Sequence, residues 1–224
     1  MAYRRTENVV RRLAARHDAI LAAAGALAAE AGINAVQIAA VSARAGVATG
    51  TVYRYFPSKT ELVAALVASV SEREIGAMRR AADAAPGPLS ALAAAITTYA
   101  ARALEARTLA FALMAEPADA ADADARLEFR RAISAELGER LAAAIAGAHL
   151  PEQDIAVAAP ALAGALIEGL IGPLAVDARE DASKHHDAVQ TITLFALRAV
   201  GVADARARGL VVQTKVPARE VTAV

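Results

Sequence analysis

The sequence predicts an all-α protein, and its composition and the spacing of its apolar residues support that class. Hydrophobic residues make up 57% of the 224 positions, yet the chain has only four Phe, four Tyr and no Trp, so small and aliphatic residues dominate. Alanine and leucine, the commonest of these, are the strongest helix formers. The length is sufficient for a small helical domain joined to a larger one. The absence of cysteine excludes disulfides and thiolate metal sites.

Three helices are predicted in the N-terminal part of the chain. In residues 9–31 apolar residues recur at three- and four-residue spacing, and Gly32 ends the pattern. A short helix follows at 36–46, ended by Gly46, and a third of at most two turns stops before Pro57. Helices this short need the first helix to complete a core. Their arrangement predicts a helix-turn-helix, which places its second short helix in the major groove of DNA.

A long fourth helix, residues 58–84, is predicted to connect this N-terminal domain to a helical body. Ser58 and Glu61 match the capping box, in which a serine and a glutamate three residues later satisfy the first amides of a helix. The charged residues SERE, 71–74, interrupt its apolar face, and APGPLS, 85–90, ends it. We therefore predict a DNA-binding domain at 1–57 and a body at 58–204, with helix 58–84 shared between them.

The rest of the body also reads as helical. Further helices are predicted at about 89–103, in a short segment with Phe111 and Met114, and at 124–148, 155–176 and 184–200. The 155–176 stretch is long enough to span a bilayer, but Pro160, Glu168 and Pro173 favour a helix buried in protein. After Asp204 the apolar period is lost, which predicts a tail at 205–224.

Charge is distributed unevenly between the two predicted domains. Residues 1–60 hold eight Lys and Arg against three acidic residues, a balance of +5, so the remaining 16 basic and 21 acidic residues give −5. A basic N-terminal domain on an acidic body indicates that this domain meets a polyanion. The start of the chain has positive charges but no apolar stretch before Asp18, which favours a cytoplasmic protein over a secreted one.

Motifs for catalysis or metal binding are absent from the sequence. His185 and His186 lie beside Asp181 and Asp187, but adjacent residues on a helix point about 100° apart and do not chelate one ion. The sequence has no H-E-x-x-H, P-loop, Gly-rich dinucleotide turn or G-x-S-x-G pattern. We therefore expect no enzyme, no metal and no cofactor.

The segment GVATGTVYRYFPSKTEL, residues 46–62, holds three of the eight Phe and Tyr residues. Together with the preceding AAEAG and VSARAGV stretches, it resembles the DNA-binding domain of the TetR family of bacterial transcriptional regulators over about residues 16–64. From residue 85 onward only helix order and length agree with that family. Three positions depart from its pattern: Val36 stands where Thr or Ser is usual, Ser42 replaces alanine, and Ala28 replaces phenylalanine.

The chemistry of this segment suits a DNA backbone. We expect Thr49 to cap the third helix, Gly50 to allow close approach, and Phe56 to pack inward. Tyrosine hydroxyls and the cations of Arg54 and Lys59 are suited to phosphates or base edges. The predicted DNA-binding residues are Gln37, Ala48, Thr49, Gly50, Thr51, Tyr53, Arg54, Tyr55 and Lys59.

For the body, the resemblance implies an effector pocket and a dimer interface. The predicted ligand-binding residues are Met78, Tyr99, Phe111, Met114, Phe129 and Glu168. With no Trp and few aromatics to cage a cation, the effector is expected to be small, largely apolar and neutral or weakly acidic. Helices 155–176 and 184–200 would pair in a homodimer, with Gly164, Gly169 and Gly172 allowing close approach. Glu168 is open to three roles, namely ligand contact, pairing with an arginine across the dimer, or facing water at the interface rim.

These features predict a dimeric repressor that binds a palindromic operator and releases it when a small molecule enters the body. Two alternatives remain. One is an all-α ligand-binding or catalytic protein with a vestigial helix-turn-helix. The other is a DNA binder without an effector, which a pocket of a few hundred Å³ would disfavour.

Overall fold

The computed structural model describes residues 2–116, 123–175 and 182–217, and these ranges are helical with no strand. The described helices are α1 (Ala2–Ala31), α2 (Ile38–Arg44), α3 (Thr49–Tyr55), α4 (Lys59–Asp83), α5 (Pro88–Glu105), α6 (Arg107–Met114), α7 (Ala123–Ala146), α8 (Ile155–Ile171), α9 (Ala182–Ala199) and α10 (Asp204–Gln213). A single 3-10 turn, Ile33–Ala35, separates α1 from α2. The all-α prediction is confirmed.

The N-terminal domain is built by α1, α2 and α3 around a small apolar core. Ile20 and Ala24 of α1, Val41 of α2 and Val52 of α3 are fully buried. Phe56, directly after α3, is buried as predicted and lies 5.2 Å from the ring of His17. This packing fixes the three helices as one unit with the outer face of α3 turned to solvent.

The connecting helix α4 is shared by both parts of the molecule. Its start is the predicted capping box, because the Ser58 hydroxyl accepts a hydrogen bond from the amide of Glu61 at 3.1 Å. Near this end α4 contacts α1, and farther along it packs against α5 and α7. Helix α4 is therefore packed against both the N-terminal domain and the body.

Helix α5 forms the centre of the body and contacts α4, α7, α8 and α9. Most of its residues are buried, and alanines at many positions let neighbouring helices approach from several sides. Two buried hydroxyls, Thr97 of α5 and Thr193 of α9, lie 3.3 Å apart. Within the described ranges, no helix is both long and apolar enough to cross a membrane.

Three predicted boundaries are wrong. Helix α1 begins at Ala2 and not at residue 9, because helix formation there does not need an apolar face. Helix α8 ends at Ile171 rather than 176, since Gly172 and Pro173 stop it. The segment predicted to be a tail contains α10, which buries Ala207, Leu210 and Val211 against α5 and α9.

Candidate nucleic-acid interface and effector cleft

The two short helices of the helix-turn-helix are linked by a pair of hydroxyl groups. Ser42 is buried on α2, donates a hydrogen bond to the carbonyl of Ala39 at 2.9 Å, and lies 3.1 Å from the hydroxyl of Thr49 on α3. This contact sets where α3 begins relative to α2. The sequence showed Ser42 only as a departure from the family pattern, so its structural role was missed.

The expected cap at the start of α3 is wrong. Ala48 is the N-cap residue and makes no side-chain cap, while Thr49 is the first helical residue and directs its hydroxyl to Ser42. The exposed end of α3 therefore has no side chain over its first amides. A Cβ at Gly50 would meet no atom within 4 Å, so the protein itself does not require glycine there and the space is open to a partner.

Tyr53 and Arg54 form the outward face of α3. The Tyr53 side chain is 51% exposed, and Arg54 is exposed as well. Neither makes a hydrogen bond or ion pair with any part of the chain that the structure describes. Thr51 and Tyr55 are half-buried, and the Tyr55 ring packs 6.4 Å from Phe56. The polar groups that remain available on α3 are thus those of Tyr53 and Arg54.

Two flanking residues extend this surface. Lys59, the first residue of α4, is half-buried and makes no hydrogen bond or ion pair within the described residues. Gln37 is the N-cap residue of α2 but does not cap it, and its amide instead donates to the carbonyl of Asn34 at 2.9 Å. Arg44 is exposed but already paired within the chain, with contacts of 2.5 and 2.7 Å to Glu30 of α1. That bidentate pair holds the pKa of Glu30 below its ordinary value.

A shallow cleft opens in the body between α4, α5, α6 and α7, and it encloses a cavity of about 30 Å³. Tyr99, Met114 and Phe129, three of the six predicted ligand-binding residues, line it together. The other three are elsewhere: Met78 is fully buried, Phe111 is half-buried on α6 away from the lining, and Glu168 is exposed on α8. The spacing of apolar residues in the sequence identified the helices that form the cleft. It did not identify which residues of those helices face into the cleft.

Charged residues that the sequence analysis did not assign to a site line the same cleft. The Glu74 carboxylate accepts hydrogen bonds from Nε and Nη2 of Arg102, at 2.6 and 3.2 Å, and from Nε of Arg73 at 3.1 Å. Bidentate pairs of this kind are strong and hold both side chains in place. The available signal was the charged run at 71–74 in an otherwise apolar helix face.

Tyr99 is the most buried polar residue of the cleft lining, with 4% of its surface exposed. Burial and, secondarily, the negative charge of Glu74 raise the pKa of its hydroxyl. The group is therefore a neutral hydrogen-bond donor at physiological pH.

Exposed residues, mostly apolar, form a stripe on α8, and a further exposed apolar side chain lies on α9. The stripe follows Val157, Ala161, Gly164 and Glu168, at three- and four-residue spacing, and the side chain on α9 is Phe195. Val157 is 64% exposed and Phe195 is 53% exposed. Leu127 of α7, which packs against α8, and Val212 of α10, which packs against α9, are also exposed apolar side chains.

The three glycines predicted to allow close approach differ in their surroundings. A Cβ at Gly164 would meet nothing within 4 Å, so this position is open to a second molecule. One at Gly169 would lie 3.1 Å from Ile192 of α9, so that glycine serves packing within the chain. At Gly172 it would overlap the Glu168 carboxylate, which is folded against the end of its own helix.

No group of three or more His, Asp or Glu suited to a metal occurs in the described residues. His185 is half-buried and His186 is exposed. Asp181, considered with them in the sequence, lies outside the described residues.

Comparison with known proteins confirms the family resemblance of the N-terminal domain. Residues 20–66 match the family model described as bacterial regulatory proteins, tetR family. The HTH-type transcriptional repressor KstR of Rhodococcus jostii (strain RHA1) is 52% identical over 58 residues, which are 26% of this chain and 27% of that relative. The chain thus spans about a quarter of the length of this relative.

Solved structures extend the similarity to the whole fold. The crystal structure of RolR with the ligand resorcinol has a TM-score of 0.66 at 22% identity and covers 93% of this chain and 98% of that one. The regulator FadR from Bacillus subtilis, in complex with stearoyl-CoA, has a TM-score of 0.66 at 20% identity, covering 83% of this chain and 98% of that one. At such identities the likeness concerns the fold alone.

Proposed function

We propose that this chain, whose residues 20–66 match the TetR family of bacterial regulatory proteins, is a repressor of that family that a small molecule releases from DNA. In this proposal a dimer binds a palindromic operator through α3 of each subunit. A ligand in the body then favours an arrangement of the two N-terminal domains that no longer fits the operator. A cytoplasmic location, where the DNA is accessible, is part of the proposal.

The exposed face of α3 carries the proposal. Tyr53 and Arg54 project from a helix fixed by Val52 underneath and by the Ser42–Thr49 contact at its start. An arginine without an internal partner on such a helix suits a guanine edge or a phosphate. Lys59, at the start of α4, adds a positive charge suited to the adjacent backbone.

The stripe on α8 and the exposed Phe195 on α9 support the dimeric part of the proposal. Two copies related by a twofold axis would each cover the other's Val157 and Phe195, and Gly164 would let the helices approach closely. Glu168 lies on the same stripe, which favours a place in the interface over one in the cleft. Dimerisation matters for function because two recognition helices must reach successive major grooves about 34 to 36 Å apart.

The cleft supports ligand control by its position between α4, α5, α6 and α7, but its enclosed volume of about 30 Å³ is far below a few hundred Å³, so a DNA binder without an effector stays an alternative. RolR and FadR, which share the fold, have been solved with resorcinol and with stearoyl-CoA. The shared helix α4 contributes Val70 and Glu74 to the cleft and Ser58 and Lys59 to the surface beside α3. A ligand that shifts α4 by a few ångströms would displace α3 from its groove.

The proposal is tested by fluorescence anisotropy with DNA from upstream of the chain's own gene. We expect saturable binding that weakens with salt, and Arg54→Ala should weaken binding to the preferred site by roughly 1 to 3 kcal/mol. Arg206→Ala is the matched control, since Arg206 is an exposed arginine on α10 of the body. Equal affinity of wild type for the upstream DNA and for random DNA would instead favour the vestigial helix-turn-helix.

A further inference from the structure

The first half of α1 extends beyond the core of the N-terminal domain. The side chains of residues 8–16 are all exposed, and Ile20 and Leu21 are the first buried ones among the described side chains of the helix. At 1.5 Å per residue, residues 2–16 form an extension of about 22 Å, which we call the α1 extension. Packing of the domain core therefore does not account for the sequence of this segment.

The α1 extension carries exposed apolar side chains on the same helix face that packs on the core farther along. Val10 and Leu13 lie seven and four residues before His17, a spacing that places all three on one face. Val10 is 59% exposed and Leu13 is 45% exposed. The His17 ring lies 6.2 Å from that of Tyr55 and 5.2 Å from that of Phe56, at the end of α3. Val10 and Leu13 therefore overhang the space beyond the point where α3 ends and α4 begins.

Arginines lie on both sides of these apolar residues. Arg12 and Arg16 are exposed, lie one helical turn apart on one side, and make no hydrogen bond or ion pair with any residue that the structure describes. Arg11 is exposed on the other side. In the sequence, residues 1–17 hold five arginines against one glutamate, a balance of +4. The α1 extension is thus a positively charged rod with an apolar face.

This charge favours duplex DNA as the partner. A second copy of α1 would bring two sets of arginines together, and like charges at close range repel. A DNA backbone instead offers phosphates for the arginines and deoxyribose surface for the apolar side chains. The extension overhangs the start of α4, where Lys59 lies, so it is on the same side of the domain as the end of α3. At 3.4 Å per base pair, its length corresponds to about six base pairs.

We propose that the α1 extension binds the DNA that flanks each half-site, with Arg12 and Arg16 on phosphates and Val10 and Leu13 against deoxyribose. This inference rests on the proposed function, because it adds a second DNA-contacting surface to the helix-turn-helix. Contacts to phosphate and sugar carry no direct sequence information, so the flanks contribute through their presence and not their sequence. The bound DNA is therefore longer on each side than the segment that the two α3 helices read.

The test compares two duplexes that carry the same operator, mapped on the upstream DNA by base substitution. The short duplex ends at the outer edges of the half-sites, and the long one has about ten more base pairs of arbitrary sequence on each side, enough to exceed the length of the extension. Fluorescence anisotropy with the full-length protein gives both affinities. We expect wild type to bind the long duplex about tenfold or more tightly than the short one, because added phosphate contacts release counterions.

The double variant Arg12→Ala/Arg16→Ala should lose most of this gain and keep its affinity for the short duplex. On the long duplex its salt slope should fall by up to about 3.6, which is about 0.9 for each of the four arginines of a dimer. Val10→Ser should reduce the gain without changing the slope, since an apolar contact releases no counterion.

The matched control is Arg80→Ala/Arg206→Ala, which removes two exposed arginines from the body end of α4 and from α10. It changes the net charge equally and should keep the full gain. Equal affinity of wild type for both duplexes would overturn the proposal. An equal loss on both duplexes in Arg12→Ala/Arg16→Ala, or the same loss of gain in the control, would overturn it as well.

A lipid surface is the other partner that a basic, apolar helix fits. Cosedimentation with phosphatidylglycerol vesicles that depends on Arg12 and Arg16, in a protein without the length gain, would assign the extension to lipid and overturn the proposal. Specific operator binding without a length gain removes this inference and keeps the proposed function. Failure to bind either duplex more tightly than random DNA removes both, so the two failures are distinguishable.

Discussion

The Glu116 carboxylate accepts a hydrogen bond from the backbone amide of Ile33 at 2.8 Å, which joins the end of α6 to the turn between α1 and α2. The two residues are 83 positions apart in sequence and belong to the body and the N-terminal domain respectively. Helix α6 also provides Leu109, Ala110 and Met114 to the cleft. A short helix thus contacts the candidate ligand site along its length and the DNA-binding domain at its end.

The end of α6 is held from the other side by α7. Arg126 donates to the carbonyls of Ala112 and Glu116, and Arg130 donates to that of Met114. Arginines placed at the last carbonyls of a helix satisfy groups that have no partner inside it. Since α7 also contributes Phe129 to the cleft, a ligand there contacts both helices that position Glu116.

We predict that Glu116→Ala weakens the connection between the cleft and DNA. The variant should lose about 1 to 3 kcal/mol of unfolding free energy, because the Ile33 amide is left without its acceptor. It should also show a smaller drop in operator affinity on ligand binding than wild type. Urea denaturation measures the first effect, and anisotropy with and without a small molecule that stabilises the protein in a thermal-shift screen measures the second.

Glu116→Gln is the control for that prediction, since the amide oxygen can still accept from Ile33. It should keep most of the stability and most of the ligand response. Full coupling in a folded Glu116→Ala protein would show that the Glu116–Ile33 hydrogen bond does not carry the signal.

A second prediction concerns Gly32, directly before Ile33. Its φ is +80°, and a Cβ there would lie 2.9 Å from both Glu116 carboxylate oxygens. Gly32→Ala should therefore lower the unfolding free energy by about 1 to 2 kcal/mol from backbone strain alone, with a further decrease from displacing Glu116.

The matched control is Gly209→Ala on α10, where a Cβ meets nothing within 4 Å and the backbone is helical. That change should leave stability unchanged or raise it by up to about 1 kcal/mol, because alanine is the better helix former. Chemical denaturation measures the unfolding free energy of both variants. Equal stability of Gly32→Ala and wild type would contradict the expected strain.

The helices could be predicted from sequence wherever an apolar face and a terminating glycine or proline occur together. Helix α4 is the clearest case, with its Ser58 cap formed as expected. Helix α10 was missed because only Ala207, Leu210 and Val211 face the body, among charged neighbours. Asp204 pairs with Arg208 at i,i+4 spacing and with Arg198 of α9, and both pairs lower its pKa. Only the contact with Arg198 depends on the fold and cannot be inferred from spacing.

The two candidate sites differ in how far the sequence revealed them. The surface of α3 is local, so a motif of consecutive residues includes both Tyr53 and Arg54. The cleft is assembled from four helices, and its partners Glu74 and Arg102 are 28 positions apart. Periodicity selects large apolar residues such as Met78 and Phe111, whereas a ligand site needs the polar residues that interrupt the apolar faces.

A third prediction concerns Lys59 at the start of α4. If its ammonium group neutralises a DNA phosphate, Lys59→Ala should weaken binding to operator and to random DNA similarly, and should lower the salt slope by about 0.9 for that phosphate. Lys215→Ala removes an exposed lysine after α10 and should change neither value. The measurement is anisotropy over a series of salt concentrations. Weaker operator binding with unchanged random-DNA affinity would mean that Lys59 reads sequence.

The last prediction tests the dimer through Val157, which is 64% exposed on the α8 stripe. In a twofold interface, Val157→Asp would place a carboxylate on each side, and at about 1 to 3 kcal/mol per buried polar group the dimer dissociation constant should rise roughly thirtyfold or more. Operator affinity should fall with it, because a monomer reaches one half-site only. Val212→Asp, at an equally accessible valine on α10 that is 79% exposed, is the control and should leave both properties intact. Sedimentation velocity at several concentrations, followed by anisotropy, gives the result. A dimer that survives Val157→Asp, or one that Val212→Asp disrupts equally, would place the interface on another surface.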